Sequence, residues 1–240
     1  MKTWTVHDIS PRLRVQVVRP MAPLPAWLER EVDGLWAQAQ AATGGGLFNG
    51  RVFSADVITP DLICGHWSEY RRSVAQMRAP ALHRHLGVRP LAVGGVVLGP
   101  DGVVFGRRPA RAVYQPGEWQ LPPAGSVDQT AARAEGMVDL RAQLLTELGE
   151  ELGMAEADVG EIRPLCIVEH AGSRVLDLGM LVRTGLTAGA IRAAHAAGGN
   201  GEYAGLEVVG LDTLPGFLAQ AGALLNLQAP SFLRRAGVIA

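Results

Sequence analysis

The 240-residue chain is poor in cysteine: only Cys64 and Cys166 occur. Two separated thiols build no disulfide framework, and such usage suits a reducing compartment. Long apolar runs are also missing. Residues 1 to 20 carry polar and charged side chains throughout, without the apolar centre of a secretion signal, and no stretch approaches a membrane span. The formal net charge is -1, which argues against broad affinity for nucleic acid, because a polyanion calls for a basic surface. Internal repeats and long low-complexity segments are absent. These absences lead to the expectation of a cytoplasmic protein that engages neither membrane nor nucleic acid.

What the chain does have is apolar content, 48% of its residues, ample for one large domain or for a core with a smaller region attached. Residues 1 to 88 read as such an accessory region. It holds a β-prone stretch over Leu13–Val18 and a helix introduced by Pro25, with Trp27, Leu28, Val32, Leu35 and Trp36 on one side. The glycines 44 to 46 break the chain before a turn and strand over Leu47–Phe53, and a further helix is expected over Trp67–Met77. From Arg89 the pattern turns β-rich. Leu91–Leu98 and Val103–Phe105 predict a hairpin about Gly99–Gly102, and Leu165–Glu169 with Val175–Val182 predict another about Ala171–Ser173. Thr187 is a capping residue for a helix to about Ala197, followed by a glycine-rich loop and a strand over Leu206–Leu211.

The most informative stretch lies between these hairpins, at Thr146-Glu147-Leu148-Gly149-Glu150-Glu151-Leu152-Gly153-Met154. Three carboxylates at i, i+3 and i+4 project from one side of a helix. Like charges so placed repel by a few tenths of a kcal/mol per pair on an exposed helix, and a divalent cation reverses that penalty. Hard oxygen donors suit Mg²⁺, which keeps part of its shell for water and phosphate; the bland alternative is a solvated acidic face. Leu140, Leu144, Leu145, Leu148 and Leu152 form a neighbouring apolar stripe, Asp139 and Gln143 extend the polar face, and Gly153 ends the helix. Upstream, Trp119-Gln120-Leu121-Pro122-Pro123-Ala124-Gly125 is a rigid segment running into a flexible glycine turn.

These two segments together resemble the Nudix hydrolases, whose signature is G-x5-E-x7-R-E-U-x-E-E-x-G-U, U being a bulky aliphatic residue. Glu147, Leu148, Glu150, Glu151, Gly153 and Met154 match its second half, and the run from Trp119 to Gly125 resembles the W-x-x-P-x-G lead-in, with Gly125 as the first glycine of the box. The resemblance covers about residues 89 to 240. Two features depart from the signature. Thr146 stands where the family has an arginine that orients the first carboxylate of the helix. Gly125 and Thr146 are twenty-one positions apart, against fourteen in the signature, so the loop carries about seven extra residues. The position of the signature's first glutamate falls on Val138, which leaves Asp139 and Asp128 as candidates for its role.

The resemblance implies an α/β fold, a Nudix-type α/β/α sandwich with a mixed sheet (residues 89–240), plus a smaller N-terminal α+β accessory region (1–88). It implies a pyrophosphohydrolase using Mg²⁺ or Mn²⁺ held by Glu147, Glu150 and Glu151, helped by the backbone carbonyl at Gly125. One of these glutamates, or Glu202 from the glycine-rich loop, would take the proton of the attacking water; Glu207 is a weaker candidate. Arg107 and Arg108, and with less support Arg111, are placed for the substrate diphosphate, because planar guanidinium groups suit phosphate oxygens. Trp119 reads as packing at the loop base. His83 and His85, with His66 upstream, lack the paired ligand motif of a tetrahedral zinc site. A small-molecule diphosphate is the expected partner, first a nucleoside diphosphate linked to a sugar, since the accessory region, Phe48-Asn49-Gly50, Tyr70-Arg71-Arg72 and the stretched loop resemble members that hydrolyse UDP-sugars. A homodimer is an option, as in ADP-ribose pyrophosphatases with N-terminal extensions. Two readings stay open beside it: hydrolysis of a prenyl or other non-nucleotide diphosphate, and a catalytically impaired ligand-binding module.

Overall fold

The computed structural model describes residues 4–110 and 115–240. In chain order they form β1 (Trp4–Asp8), β2 (Arg14–Val17), α1 (Ala26–Ala42), β3 (Arg51–Ile58), β4 (Leu62–Glu69), α2 (Tyr70–Arg78) and the single turn α3 (His83–Leu86). Next come β5 (Leu91–Gly99), β6 (Gly102–Arg107), β7 (Trp119–Gln120), β8 (Ala124–Ser126), β9 (Met137–Val138) and α4 (Leu140–Leu152). The remainder is β10 (Val159–His170), β11 (Leu176–Thr184), α5 (Ala188–Gly198), β12 (Gly205–Val209), α6 (Leu214–Ala221) and α7 (Ala229–Arg235). The mixed α/β architecture expected from the sequence is the one found. Among the described residues no helix is long and apolar enough to cross a membrane.

The chain folds into two compact units. The first comprises Met1–Ala92, Ser126–Leu140 and Glu169–Leu176; the second comprises Val93–Gly125, Arg141–Val168 and Asp177–Ala240. The seven or so extra loop residues noted in the sequence thus fall in a stretch that belongs to the first unit. There β9 pairs antiparallel with β2, and Asp128 bridges to Val52 on β3. Val127, Ala131 and Val138 are buried, so the stretch is apolar enough to join a core.

The sheet of the first unit runs β3-β4-β2-β9, with β2 parallel to β4 and its other pairs antiparallel. Val15, Phe53, Ala55 and Ile63 are buried in it, and α1 turns Leu28, Val32 and Ala39 inward. The strand expected over Leu13–Val18 is β2, and the helix after Pro25 is α1. The helix expected over Trp67–Met77 needs correction: Trp67, Ser68 and Glu69 are strand, paired with Phe53, Val52 and Arg51, and α2 begins at Tyr70. Arg71 on α2 pairs with Glu29 of α1 and, at 2.8 Å, with Glu69. Elsewhere in this unit the buried Glu169 accepts from Arg89 at 2.9 Å and meets Arg174 at 2.7 Å and His7 at 2.9 Å.

In the second unit the sheet order is β10-β11-β5-β6-β12, with β7 on β6 and β8 on β5. The first predicted hairpin is present, Leu98 facing Val103 and Gly99 facing Gly102. β10 and β11 form the second, with β10 longer than expected. Val96, Val97, Val104 and Phe105 are buried. Successive residues of a strand face opposite sides, and here Gly94 lies against Phe232 of α7 while Gly95 lies against Pro123. Thr187 caps α5, its hydroxyl accepting from the Ala190 N–H at 3.3 Å. α6 and α7 are elements that the sequence reading does not anticipate.

Candidate active site

α4 places the glutamates unequally. Leu144, Leu148 and Leu152 are fully buried, which fixes the inward side of the helix. With about 100° per residue, Glu151 falls within that side, Glu147 at its edge and Glu150 beyond it. The burial follows: Glu151 is 3% exposed, Glu147 half-buried and Glu150 exposed. At the helix end Gly153 adopts φ 66°, and a Cβ there would stand 2.3 Å from the Ala194 carbonyl oxygen.

The Glu151 carboxyl group accepts the Ala124 N–H at 3.1 Å and the Tyr203 hydroxyl at 2.9 Å. Burial pushes its pKa up to about 8; the hydrogen bond from Tyr203 pulls against this, and the charges of Glu147 and Glu202 add to it. Glu147 accepts from the Gln143 amide at 2.9 Å. A Cβ at residue 125 would lie 2.0 Å from the Glu147 carboxyl group, so Gly125 is glycine because that carboxyl group fills the space of a side chain. Thr146 is exposed and its hydroxyl donates back to the Ala142 carbonyl at 3.1 Å. The orientation that the resemblance expects from an arginine at 146 comes at least in part from Gln143.

The glycine-rich loop after α5 is tied to α4. The Asn200 N–H donates to the Glu150 carbonyl at 2.8 Å, and the Asn200 side chain accepts from the Glu202 N–H at 2.9 Å. Glu202 thereby comes within electrostatic reach of Glu151 and pairs with Arg108. Arg108 also donates to Gln120 at 3.3 Å. Arg107 turns elsewhere, its guanidinium 5.6 Å from the Trp119 ring centroid. Trp119 meets Phe217 edge-on at 5.2 Å, which is packing at the loop base. Arg111 lies outside the described residues. Glu207 stands in β12, 3.7 Å from Arg192.

Asp128 caps the short turn after it, accepting from the Thr130 N–H at 2.8 Å, and Asp139 meets Arg133 at 3.3 Å. Both are in the first unit, where Val138 is a buried strand residue. His66 meets Asp56 at 3.2 Å and His83 meets Gln76 at 3.2 Å.

Tyr203 is the site residue that sequence reasoning missed. It is 3% exposed, and its ring lies on Gly106, where a Cβ would come within 2.4 Å. A lone tyrosine in a glycine-rich loop carries no motif; its only signal is that it follows Glu202.

Among the described residues no three of His, Cys, Asp and Glu gather closely enough to hold one metal ion. The donors that do converge, Glu147 and Glu151, are hard oxygens; burial chiefly raises the Glu151 pKa, and the charge of Glu147 adds to it. That pair fits Mg²⁺, which takes one or two carboxylates and fills its other positions with water and substrate phosphate.

No family model matches the chain, and no curated protein does. Among the solved structures it is similar to is Tm1382, described as a putative Nudix hydrolase, at 14% identity over 76% of this chain and 87% of that one, with a TM-score of 0.39. DR0079 from Deinococcus radiodurans shares 16% identity, with 77% of this chain and 98% of that one covered, at a TM-score of 0.48. The MutT protein from Methanosarcina mazei Go1 shares 17% over 62% of this chain and 93% of its own, at 0.41. A C. elegans Ap4A hydrolase shares 16% over 61% and 95%, at 0.35.

Proposed function

We propose that the second unit is a Nudix-type pyrophosphohydrolase that cleaves the diphosphate linkage of a nucleoside diphosphate joined to another moiety, with a nucleotide sugar as first choice. The observation that carries this reading is the seating of Glu147 and Glu151. Two carboxyl groups, one of them buried, are held against the turn at Ala124 and Gly125, where the Glu147 carboxyl group occupies the space of a side chain at residue 125. A fold keeps such repulsion where a cation or a proton transfer uses it.

A diphosphate resists water because its oxygens repel a nucleophile, so charge must be neutralised and a water positioned and deprotonated. A divalent ion on Glu147 and Glu151 would supply the neutralising charge. The Ala124 N–H and the Tyr203 hydroxyl fix Glu151 from two sides. Arg108 carries the positive charge of the site and is paired with Glu202. A phosphate that takes Arg108 leaves the Glu202 carboxylate to accept a proton from water.

The test is phosphate release, through a coupled phosphatase, from nucleoside diphosphate sugars, dinucleotides and prenyl diphosphates, each with Mg²⁺, Mn²⁺ or EDTA. Metal-dependent cleavage of a nucleotide sugar is expected, with near-complete loss in Glu151→Gln. Cleavage of prenyl diphosphates alone overturns the substrate class, and metal-dependent binding without cleavage of any compound overturns the enzyme.

A further inference from the structure

A chain of side-chain amides in the second unit runs up to Arg108. The Gln228 N–H donates to Asn226 Oδ1 at 3.2 Å, and the Asn226 amide donates to Gln115 Oε1 at 3.0 Å. The same oxygen accepts from the Gln120 amide at 2.7 Å, and Gln120 Oε1 accepts from Arg108 at 3.3 Å. Asn226 and Gln120 are 2% and 6% exposed. Both are anchored by their backbones: the Asn226 N–H donates to the Trp119 carbonyl at 2.8 Å, and Gln120 pairs with Gly106 on β6.

A side-chain amide has a donor end and an acceptor end, so each member of this chain fixes the next. Gln115 Oε1 faces two NH₂ groups; turned round, Gln115 would set its own NH₂ against both. Gln120, with its NH₂ taken by Gln115, offers Arg108 only its oxygen. Gln115 is thus the hub, and its backbone sits at φ 49°, a region that glycine occupies without strain and other residues rarely enter. Such departures concentrate where function outweighs local preference. What a glutamine supplies there and a glycine does not is the acceptor shared by Gln120 and Asn226.

Arg108 has acceptors of two kinds. Glu202 is charged and belongs to the glycine-rich loop after α5, whereas Gln120 is neutral, buried and held in β7. A carboxylate cancels the charge of a guanidinium; an amide oxygen orients it and leaves the charge for an incoming anion. We infer that Gln120, set in its orientation by Gln115 and Asn226, is a positioning residue that keeps Arg108 aimed at the substrate's phosphate once Glu202 is displaced. That role depends on the diphosphate reading of the second unit, in which Arg108 meets phosphate.

Calorimetric titration of the full chain with methylenediphosphonate, a diphosphate analogue that water does not cleave, in Mg²⁺, tests the role apart from turnover. Gln115→Met puts a flexible side chain of similar length at a half-buried position, so the variant folds, and it is expected to bind the probe about tenfold more weakly. Arg108→Ala is expected to lose about a hundredfold. The double variant should bind no more weakly than Arg108→Ala, because Gln115 acts through the arginine. On a diphosphate that is cleaved, Gln115→Met should raise KM with kcat unchanged. Losses that add in the double variant would assign Gln115 to packing alone and overturn the role, as would wild-type affinity in Gln115→Met. Failure of the wild type to bind the probe up to millimolar concentration overturns it too, since Arg108 then meets no diphosphate. The expected binding pattern without turnover of any diphosphate sinks the hydrolase and leaves the amide chain standing; turnover that Gln115→Met leaves unchanged does the reverse.

Discussion

At residue 125 the absent side chain is the feature that holds the candidate site together. A methyl group there would fall 2.0 Å from the Glu147 carboxyl group. That group is the end of a flexible side chain, so it swings away and the backbone stays. Gly125→Ala is expected to fold with little change in melting temperature and to lose about a hundredfold in metal-dependent turnover, since displacement by an ångström suffices for such a loss. Unimpaired turnover would separate Glu147 from the chemistry. The acidic cluster was legible in the sequence because the i, i+3, i+4 spacing is itself a helical pattern. Its inequality was legible in principle as well, once the leucines fixed the inward side, for Glu150 and Glu151 stand about 100° apart and cannot both be buried. The hydrogen bonds of Tyr203 and the Ala124 N–H to Glu151 were not legible, because each depends on contacts between segments far apart in the chain, whereas that of Gln143 to Glu147 is an i, i+4 contact within α4.

Among the elements, α4 shows how one residue type acts in two ways. Gly149 lies within the helix, and a Cβ there meets only the Met154 carbonyl oxygen at 3.7 Å. Gly149→Ala is expected to stabilise the protein by about 0.5–1 kcal/mol through helix propensity. Gly153 has φ 66° and a backbone oxygen 2.3 Å from the place of a Cβ. Gly153→Ala is expected to cost about 1–3 kcal/mol or more. Urea midpoints of the two variants must move in opposite directions; a common direction would mean that α4 does not end at Leu152. The hairpins and capped helices of the second unit were readable because turn glycines and Thr187 punctuate them. Trp67–Glu69 misled because this run leads directly into the apolar positions of α2, and only pairing with β3 shows it to be strand. The stretch 126–140 gave no period at all, since its buried residues Val127, Ala131 and Val138 are fixed one by one against β3 and β2.

For the molecule as a whole, two buried glutamates set opposite limits on stability. Glu151 in the folded chain has a pKa of about 8, against an ordinary glutamate value of 4.5. Between these values the native state holds a proton that the unfolded chain has lost, so stability falls as pH rises through that window. At about 1.4 kcal/mol per pKa unit the loss is on the order of a few kcal/mol. For Glu169, burial opposes the charge, but hydrogen bonds from Arg89 and His7 more than offset it and hold the pKa below the ordinary value. Its contribution is fully present above that value and disappears as pH falls through the folded pKa. Metal-free protein is therefore expected to be most stable in mild acid, with one arm falling toward low pH and another toward pH 8. Chemical denaturation in EDTA from about pH 3 to pH 9 would trace both arms. Glu151→Gln should flatten the alkaline arm and leave the variant more stable than wild type near pH 8, where its neutral amide still accepts from Tyr203 and Ala124. Glu169→Gln should lower stability at neutral pH and flatten the acid arm. Mg²⁺ or Mn²⁺ should raise the alkaline arm of the wild type and leave that of Glu151→Gln unmoved, because a cation gains most where the proton has left. If metal stabilises both proteins equally, the ion is held elsewhere than on Glu151.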